Sequence, residues 1–477
     1  MTTDPSAPAV DPAPAVDLVI RRVTVLAPTR RPVAAYPDLA PDDAARPGPA
    51  TFHADQAIGV VGSVIAWIRP DADLTAADLG AARVVDAPGR VALPGLINTH
   101  SHSSMTYFRG SAEDVPTASW FNDHIWPMEV NLTDRDVLLG ARLAVAEMLL
   151  GGVTTVADHY FSMTQIARAV DEGGMRAVLA ETYFSSQGAE GLERSAAFAA
   201  EHDGAAGGRI TTMLGPHAVY TVDDADLVRT AELARSIGVR SHVHAAETMH
   251  QTESSLARRG ATPIQVLHDT GMLEAGALIA HGTGIVESDL AWLTPYADRV
   301  GVACCAKVYQ KHTHTSTPIR LLHDAGIAVG IGTDGCASNN TLDMFESVRA
   351  TSLVQKAASR DATWLTSSHA LDLLTRQSAQ AIGREHDLGA LAPGYTADIV
   401  LIDPWKPHLQ PMNDLAAALV LSIRASDVET VIVDGRIVVD GGRLVDTDLD
   451  ALMTEMNARL PGLTDRSHGS TIQTYAP

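Results

Sequence analysis

The sequence predicts an α/β protein: a (β/α)8 TIM barrel with a small β-sandwich domain built from both chain ends. Three observations predict it. Eight short apolar stretches, at residues 91–99, 153–158, 176–181, 210–215, 239–244, 277–281, 299–304 and 327–333, alternate with amphipathic segments. β-patterned segments flank this region on both sides. Histidines and an aspartate end several of the apolar stretches, and in a barrel those ends converge on one mouth. An open doubly wound sheet would alternate too, but would not gather so many strand ends at one point.

The elements follow in order. Residues 1–15 are rich in Pro, Ala and Asp without periodicity and read as a disordered tail. Residues 17–26 are a β-branched strand, 28–53 a proline-rich loop, 57–61 with 63–67 a hairpin, and 83–86 a short strand. From residue 91 near-continuous apolar strands, as expected when both faces are buried, are followed by helical patterns at 134–150, 164–172, 225–236, 263–270 and 318–325. Residues 341–386 read as helical. Residues 388–403 return to β pattern, and 428–439 form a hairpin turning at Asp434-Gly435. A last helix is expected at 447–460. The expected division is therefore 1–15 tail, 16–90 first part of the sandwich, 91–387 barrel, 388–446 second part of the sandwich, and 447–477 helix and tail.

Composition narrows the function. The 477 residues are 46% hydrophobic and 19% charged, an ordinary globular balance. A net charge of −22 argues against a nucleic-acid partner. Three cysteines, Cys304, Cys305 and Cys336, make neither a disulfide framework nor a structural zinc motif, which suits a reducing cytoplasm. No apolar run approaches the roughly 18 residues of a membrane span. The N-terminus lacks the pattern of a signal peptide.

The chemistry gathers at the strand ends. His100 and His102 are two residues apart, so both rings can aim at one point past the first barrel strand. His244 ends the fifth. His242 shares its face but lies further inside, and is read as an interior, hydrogen-bonded histidine. His281 ends the sixth strand and Asp334 the eighth. Imidazoles with a carboxylate suit Zn²⁺, with Fe²⁺ or Mn²⁺ as alternatives. Such a site lowers the pKa of water towards about 7 and so generates hydroxide at neutral pH. Glu247, three residues after His244, is close enough to carry a proton from that water, and Asp334 can accept the other. Nucleophile-elbow, phosphate-loop and dinucleotide motifs are missing from the sequence.

These residues resemble the amidohydrolase superfamily. The marks are Pro94-Gly-Leu-Ile-Asn-Thr-His-Ser-His102, His244-x-x-Glu247, His281 and Thr333-Asp334-Gly335, with Gly394-Tyr-Thr-Ala-Asp398 resembling the return strand of a split β domain. The resemblance covers about residues 17–445. It implies one divalent metal per subunit, held by His100, His102, His244 and Asp334, with His281 on the reacting water and Glu247 as proton shuttle. Within the superfamily the chain is most similar to the 5′-methylthioadenosine/S-adenosylhomocysteine deaminases and related nucleoside deaminases. That similarity rests on residues 105–114, Trp120, Pro127-Met-Glu129, Gly215-Pro-His217 and 333–340. By resemblance Glu129 would hold the ribose hydroxyls, Trp120 would wall the pocket, His217 would bond to the purine, and Ser338 would join the substrate contacts. Trp120 as plain core and Glu129 as a helix cap stay open.

Two stretches depart from that pattern. Residues 303–314 form an unexpectedly basic, His-rich loop containing Lys307, Lys311, His312 and His314. Residues 181–187 lack arginines that would grip the carboxylate of S-adenosylhomocysteine. The expected function is hydrolytic deamination of adenosine or a 5′-modified adenosine to an inosine-type product and ammonia. The expected setting is a cytoplasmic homo-oligomer acting on a small purine nucleoside. The alternatives are hydrolysis of a free heterocycle (guanine, 8-oxoguanine, cytosine or a triazine) and a non-catalytic scaffold of the same fold.

Overall fold

The computed structural model describes residues 16–28 and 49–476. The expected tail at 1–15 and most of the 28–53 loop lie outside the described residues. The remaining strands form two sheets.

The barrel consists of eight parallel strands in chain order. Numbering strands along the chain, they are β6 (Leu96–Ser101), β7 (Val153–Tyr160), β8 (Arg176–Tyr183), β9 (Ile210–Pro216), β10 (Ser241–Ala245), β11 (Ala277–His281), β12 (Val300–Cys304) and β13 (Ala328–Ile331). Helices such as Asp134–Leu150, Met163–Gly173 and Asp224–Ile237 return the chain between strands. The first of these starts at a reciprocal cap: the Thr133 N–H donates to Asp136 Oδ2 at 3.0 Å, and the Asp136 N–H to Thr133 Oγ1 at 3.4 Å. The ring closes where β13 meets β6. There Asn98 Oδ1 accepts the Thr333 N–H at 3.0 Å, and the His100 carbonyl accepts the Asp334 N–H at 2.9 Å. Closure therefore ties His100, the first predicted ligand, to Asp334, the last.

The second sheet takes β1 (Leu18–Leu26), β2 (Phe52–Val61), β3 (Val64–Pro70), β4 (Arg83–Asp86) and β5 (Val91–Pro94) from one end of the chain. From the other it takes β14 (Ile399–Ile402), β15 (Val428–Val433), β16 (Arg436–Asp440) and β17 (Arg443–Leu444). Its order is β17-β16-β15-β14-β5-β1-β2-β3, with β4 on β1. The sheet curls until its edge strand β3 meets the stretch that leads into β14: the Ile65 N–H donates to the Tyr395 carbonyl at 2.8 Å. Leu18, Ile20, Ile58, Val60, Ile399 and Ile432 fill the enclosed core. The layers of this sandwich-like unit are thus parts of one folded sheet.

One strand reading is corrected. Residues 91–99 are not a single barrel strand, because Val91–Pro94 pairs antiparallel with β14 and only Leu96–Ser101 enters the barrel. The chain changes sheets at Gly95. A Cβ there would sit 2.0 Å from Thr154 Oγ1, so only glycine passes. An unbroken apolar run carries no mark of such a change, since both sheets bury it. The two units are also joined by a buried ion cluster: Arg176 meets Asp398 at 3.1 Å and Asp434 at 2.9 Å. Among the described residues no helix is long and apolar enough to cross a membrane.

Candidate active site

All five strand-end residues meet at one mouth of the barrel. Ring nitrogens of His100, His244 and His281 lie within 4.8 Å of one another, and so do ligand atoms of His100, His102 and Asp334. Asp334 Oδ1 is 3.2 Å from His102 Nε2 and 3.7 Å from His100 Nε2.

Hydrogen bonds behind the rings fix how they point. His102 Nδ1 lies 2.6 Å from the His159 carbonyl and His244 Nδ1 2.7 Å from the His217 carbonyl. A carbonyl only accepts, so each Nδ1 carries the proton and each Nε2 lone pair is left facing the centre. His100 Nδ1 is 2.9 Å from Nε2 of the wholly buried His242, which has the interior place expected of it. His100 Nε2 and His281 Nδ1 are buried with no hydrogen-bond partner among the described residues. Buried lone pairs without donors are costly unless something electron-poor shares them. The donor set therefore fits a divalent ion of the zinc type.

Electrostatics set these side chains apart. Burial holds His100 and His244 well below the usual histidine range, so both are neutral imidazoles, the form a ligand needs. Burial opposes charge on His102 as well, yet the adjacent Asp334 overrides it and pushes His102 up to about 9. Asp334 itself is driven far below the carboxylate range: burial opposes this, but His102 and the Gly335 N–H prevail. A cation competes with the His102 proton for the same lone pair.

The backbone is strained at this point. His281 has φ +74° and Asp334 φ +63°, left-handed values that cost a non-glycine residue about 1–3 kcal/mol. Local bonds hold both. The Gly335 N–H donates to Asp334 Oδ1 at 2.7 Å, the Ser338 hydroxyl to Asp334 Oδ2 at 2.8 Å, and the Thr317 hydroxyl to the His281 carbonyl at 2.7 Å.

Glu247 follows β10 on the cavity wall. Its Oε2 accepts from Gln251 Nε2 at 2.9 Å, and its N–H donates to Gln251 Oε1 at 3.0 Å. Glu247, His281 and Asp334 line one cavity with Trp120, Glu129 and His217. Glu129 is only 4% exposed and accepts the Tyr160 hydroxyl at 2.6 Å; burial pushes its carboxyl up to about 7. His217 packs on Phe184 with ring centres 4.5 Å apart, and burial pushes it down to about 3, leaving a neutral ring.

Ser338 stands apart from this group. It is buried behind Asp334, bonded to it, and is not among the cavity-lining residues. Its place in a short helix turns it towards the carboxylate rather than the cavity. The basic loop divides. Lys307 pairs with Glu346 and Lys311 with Glu113, both at 2.8 Å, while His312 and His314 face the cavity. Sequence reading missed His159, Tyr160, Phe184, Tyr220, Gln251 and Ile472. The first two close an apolar strand, so the strand-end rule used for the others could have found them. Ile472 carries no local signal.

The comparisons agree with this geometry. The pattern of the amidohydrolase family matches residues 91–438. A 5-methylthioadenosine/S-adenosylhomocysteine deaminase of Pelotomaculum thermopropionicum is 38% identical over 421 residues, 88% of this chain and 96% of that one. One from Moorella thermoacetica is 40% identical over 379 residues, 79% and 88% of the two chains. A zinc-bound adenosine deaminase of Xanthomonas campestris superposes with TM-score 0.84 at 28% identity, covering 95% of this chain and 99% of the other.

Proposed function

The chain belongs to the amidohydrolase family, and from that premise we propose that it hydrolytically deaminates adenosine-type purine nucleosides. The substrates would be adenosine or 5′-modified adenosines such as 5′-deoxyadenosine, methylthioadenosine or S-adenosylhomocysteine. The observation that carries this reading is the pairing, across one cavity, of Glu247 beside the His/Asp cluster with the buried Glu129. A flat base at the first and a ribose at the second account for both carboxylates. The names of the relatives support the same substrate class.

A divalent ion, zinc first and iron or manganese as alternatives, would be held by His100, His102, His244 and Asp334 and would supply the Lewis acidity that makes water nucleophilic at neutral pH. The chain's own groups do the rest. Asp334 and His281 orient the water. Glu247 takes one of its protons and delivers it to N1 as C6 becomes tetrahedral; Asp334 takes the other as the new C6–O bond becomes a carbonyl, and this proton passes to the amino group, which leaves as ammonia. Water supplies the oxygen of the inosine-type product, so atoms balance. His217, neutral, bonds to the purine, and Trp120 walls its face. Glu129 accepts both ribose hydroxyls. Ser338 acts through Asp334. The proposal places the enzyme in the cytoplasm, which three free buried cysteines support, and as a homo-oligomer, to be sized by light scattering.

The test is ammonia release with the purine ultraviolet shift in parallel, using adenosine, methylthioadenosine, S-adenosylhomocysteine, adenine, guanine and cytosine. Release from the nucleosides, lost on chelation and restored by Zn²⁺, is expected. Release from free bases alone would refute the nucleoside reading, and activity surviving complete metal removal would refute the cofactor.

A further inference from the structure

The last described stretch, 464–476, runs over the barrel mouth. It leaves the helix Leu449–Leu463, which is docked by Arg459 on Asp136 at 2.5 Å and by Arg135 on Glu455 at 2.7 Å. Asn131 Nδ2 then donates to the Leu463 carbonyl at 3.1 Å and the Asp465 carbonyl at 2.7 Å. At the far end Asn122 brackets Tyr475, accepting its N–H at 2.7 Å and donating to its carbonyl at 3.3 Å. The Tyr475 ring lies flat on Phe121, with centres 4.6 Å apart and planes 6° apart, and meets Tyr220 edge-on at 5.6 Å. Phe121 and Tyr220 both line the active-site cavity. The tail is therefore fastened at both ends to the segment that carries Trp120 and Glu129.

Between the fastenings Ile472 reaches the cavity. It also lines an outer groove of about 1270 Å³, open to solvent, which shares Glu129, Phe161, Thr182 and Phe184 with the inner cavity. We infer that Ile472 sets which 5′ substituents this enzyme accepts, and that Tyr475 holds it in place. The inference rests on the nucleoside reading above. With the base at the histidine cluster and the ribose at Glu129, the 5′ end is what remains, and Ile472 borders both spaces at that exit. The groove also carries Asp134, Glu181 and Glu201 against a single guanidinium, Arg194, which Glu181 and Gln187 already engage at 3.5 Å and 3.0 Å. Such a wall admits neutral substituents and repels a 5′-phosphate.

The experiment compares kcat/KM of the full chain and its variants for adenosine, methylthioadenosine, S-adenosylhomocysteine and adenosine 5′-phosphate. Ile472→Ala is expected to raise the S-adenosylhomocysteine-to-adenosine ratio about tenfold and Ile472→Trp to lower it about as much, as for a few methylenes in an apolar pocket. Tyr475→Ala should copy Ile472→Ala, chiefly through KM, while Tyr475→Phe keeps the stack and the wild-type ranking. Trypsin cleavage after Arg466 should quicken in Tyr475→Ala alone, a readout independent of activity. Ile472 variants that move every nucleoside equally, or none, overturn the inference and leave the deaminase reading standing. Wild-type release from free bases alone, or from no substrate, overturns both.

Discussion

Replacing Glu129 by Gln keeps the side chain's shape and removes its charge. The carboxyl is raised from 4.5 to about 7, chiefly by burial, so ionising it inside the ligand-free protein costs about 3 kcal/mol. Two ribose hydroxyls donating to the carboxylate each return about 1.5–3 kcal/mol, the range for hydrogen bonds to charge. A ribonucleoside therefore favours the ionised form, and its binding should strengthen as pH rises through about 7. Glu129→Gln should lose roughly 10–100-fold in kcat/KM for adenosine and show no such pH dependence. For 2′,3′-dideoxyadenosine the loss should stay under about threefold. Stability moves the other way. Because the folded-state value is raised, the neutral acid favours the fold below pH 4.5, and that contribution is lost as pH climbs through about 7. Ligand-free wild type should thus lose stability relative to Glu129→Gln between about pH 5 and 8. Ammonia release across pH, with denaturant melts alongside, makes both measurements. A variant that treats adenosine and the dideoxynucleoside alike would refute the ribose role, and stability curves that stay parallel would refute the buried-acid reasoning.

Three further outcomes are expected. Glu247→Gln should lower kcat by about 10²–10⁴ while metal content by elemental analysis is unchanged, since proton transfer is lost and the ligands are not. Ser338→Ala should cost about tenfold in kcat with KM nearly constant, because it removes a bond to the charged Asp334; a rise in KM alone would restore Ser338 to the substrate contacts. Arg176→Met strands Asp398 and Asp434 at the junction of the two sheets and should destabilise by about 3–5 kcal/mol in urea melts, with kcat unchanged in the folded fraction.

Much of the site was legible because a barrel strand converts position in sequence into position in space. His100, His244 and His281 each close an apolar stretch, and closure of the ring does the rest. For Ser338 a motif names the residue without its direction; the short helix Cys336–Asn339 turns it onto Asp334. The strand at 91–99 misled because burial looks the same in either sheet. The basic loop gives no local sign of the partners of Lys307 and Lys311, Glu346 and Glu113, which lie far away in sequence.

The sequence by itself determined the alternation of strand and helix, the ligand types and their placement at strand ends, since these depend on local period and residue chemistry. Only the tertiary structure decided which ring nitrogens face inward, how far Glu129 is buried, and that a tail more than 300 residues from Phe121 walls the same cavity. Those are set by backbone carbonyls, desolvation and aromatic stacking between segments far apart in the chain, and no local pattern encodes them.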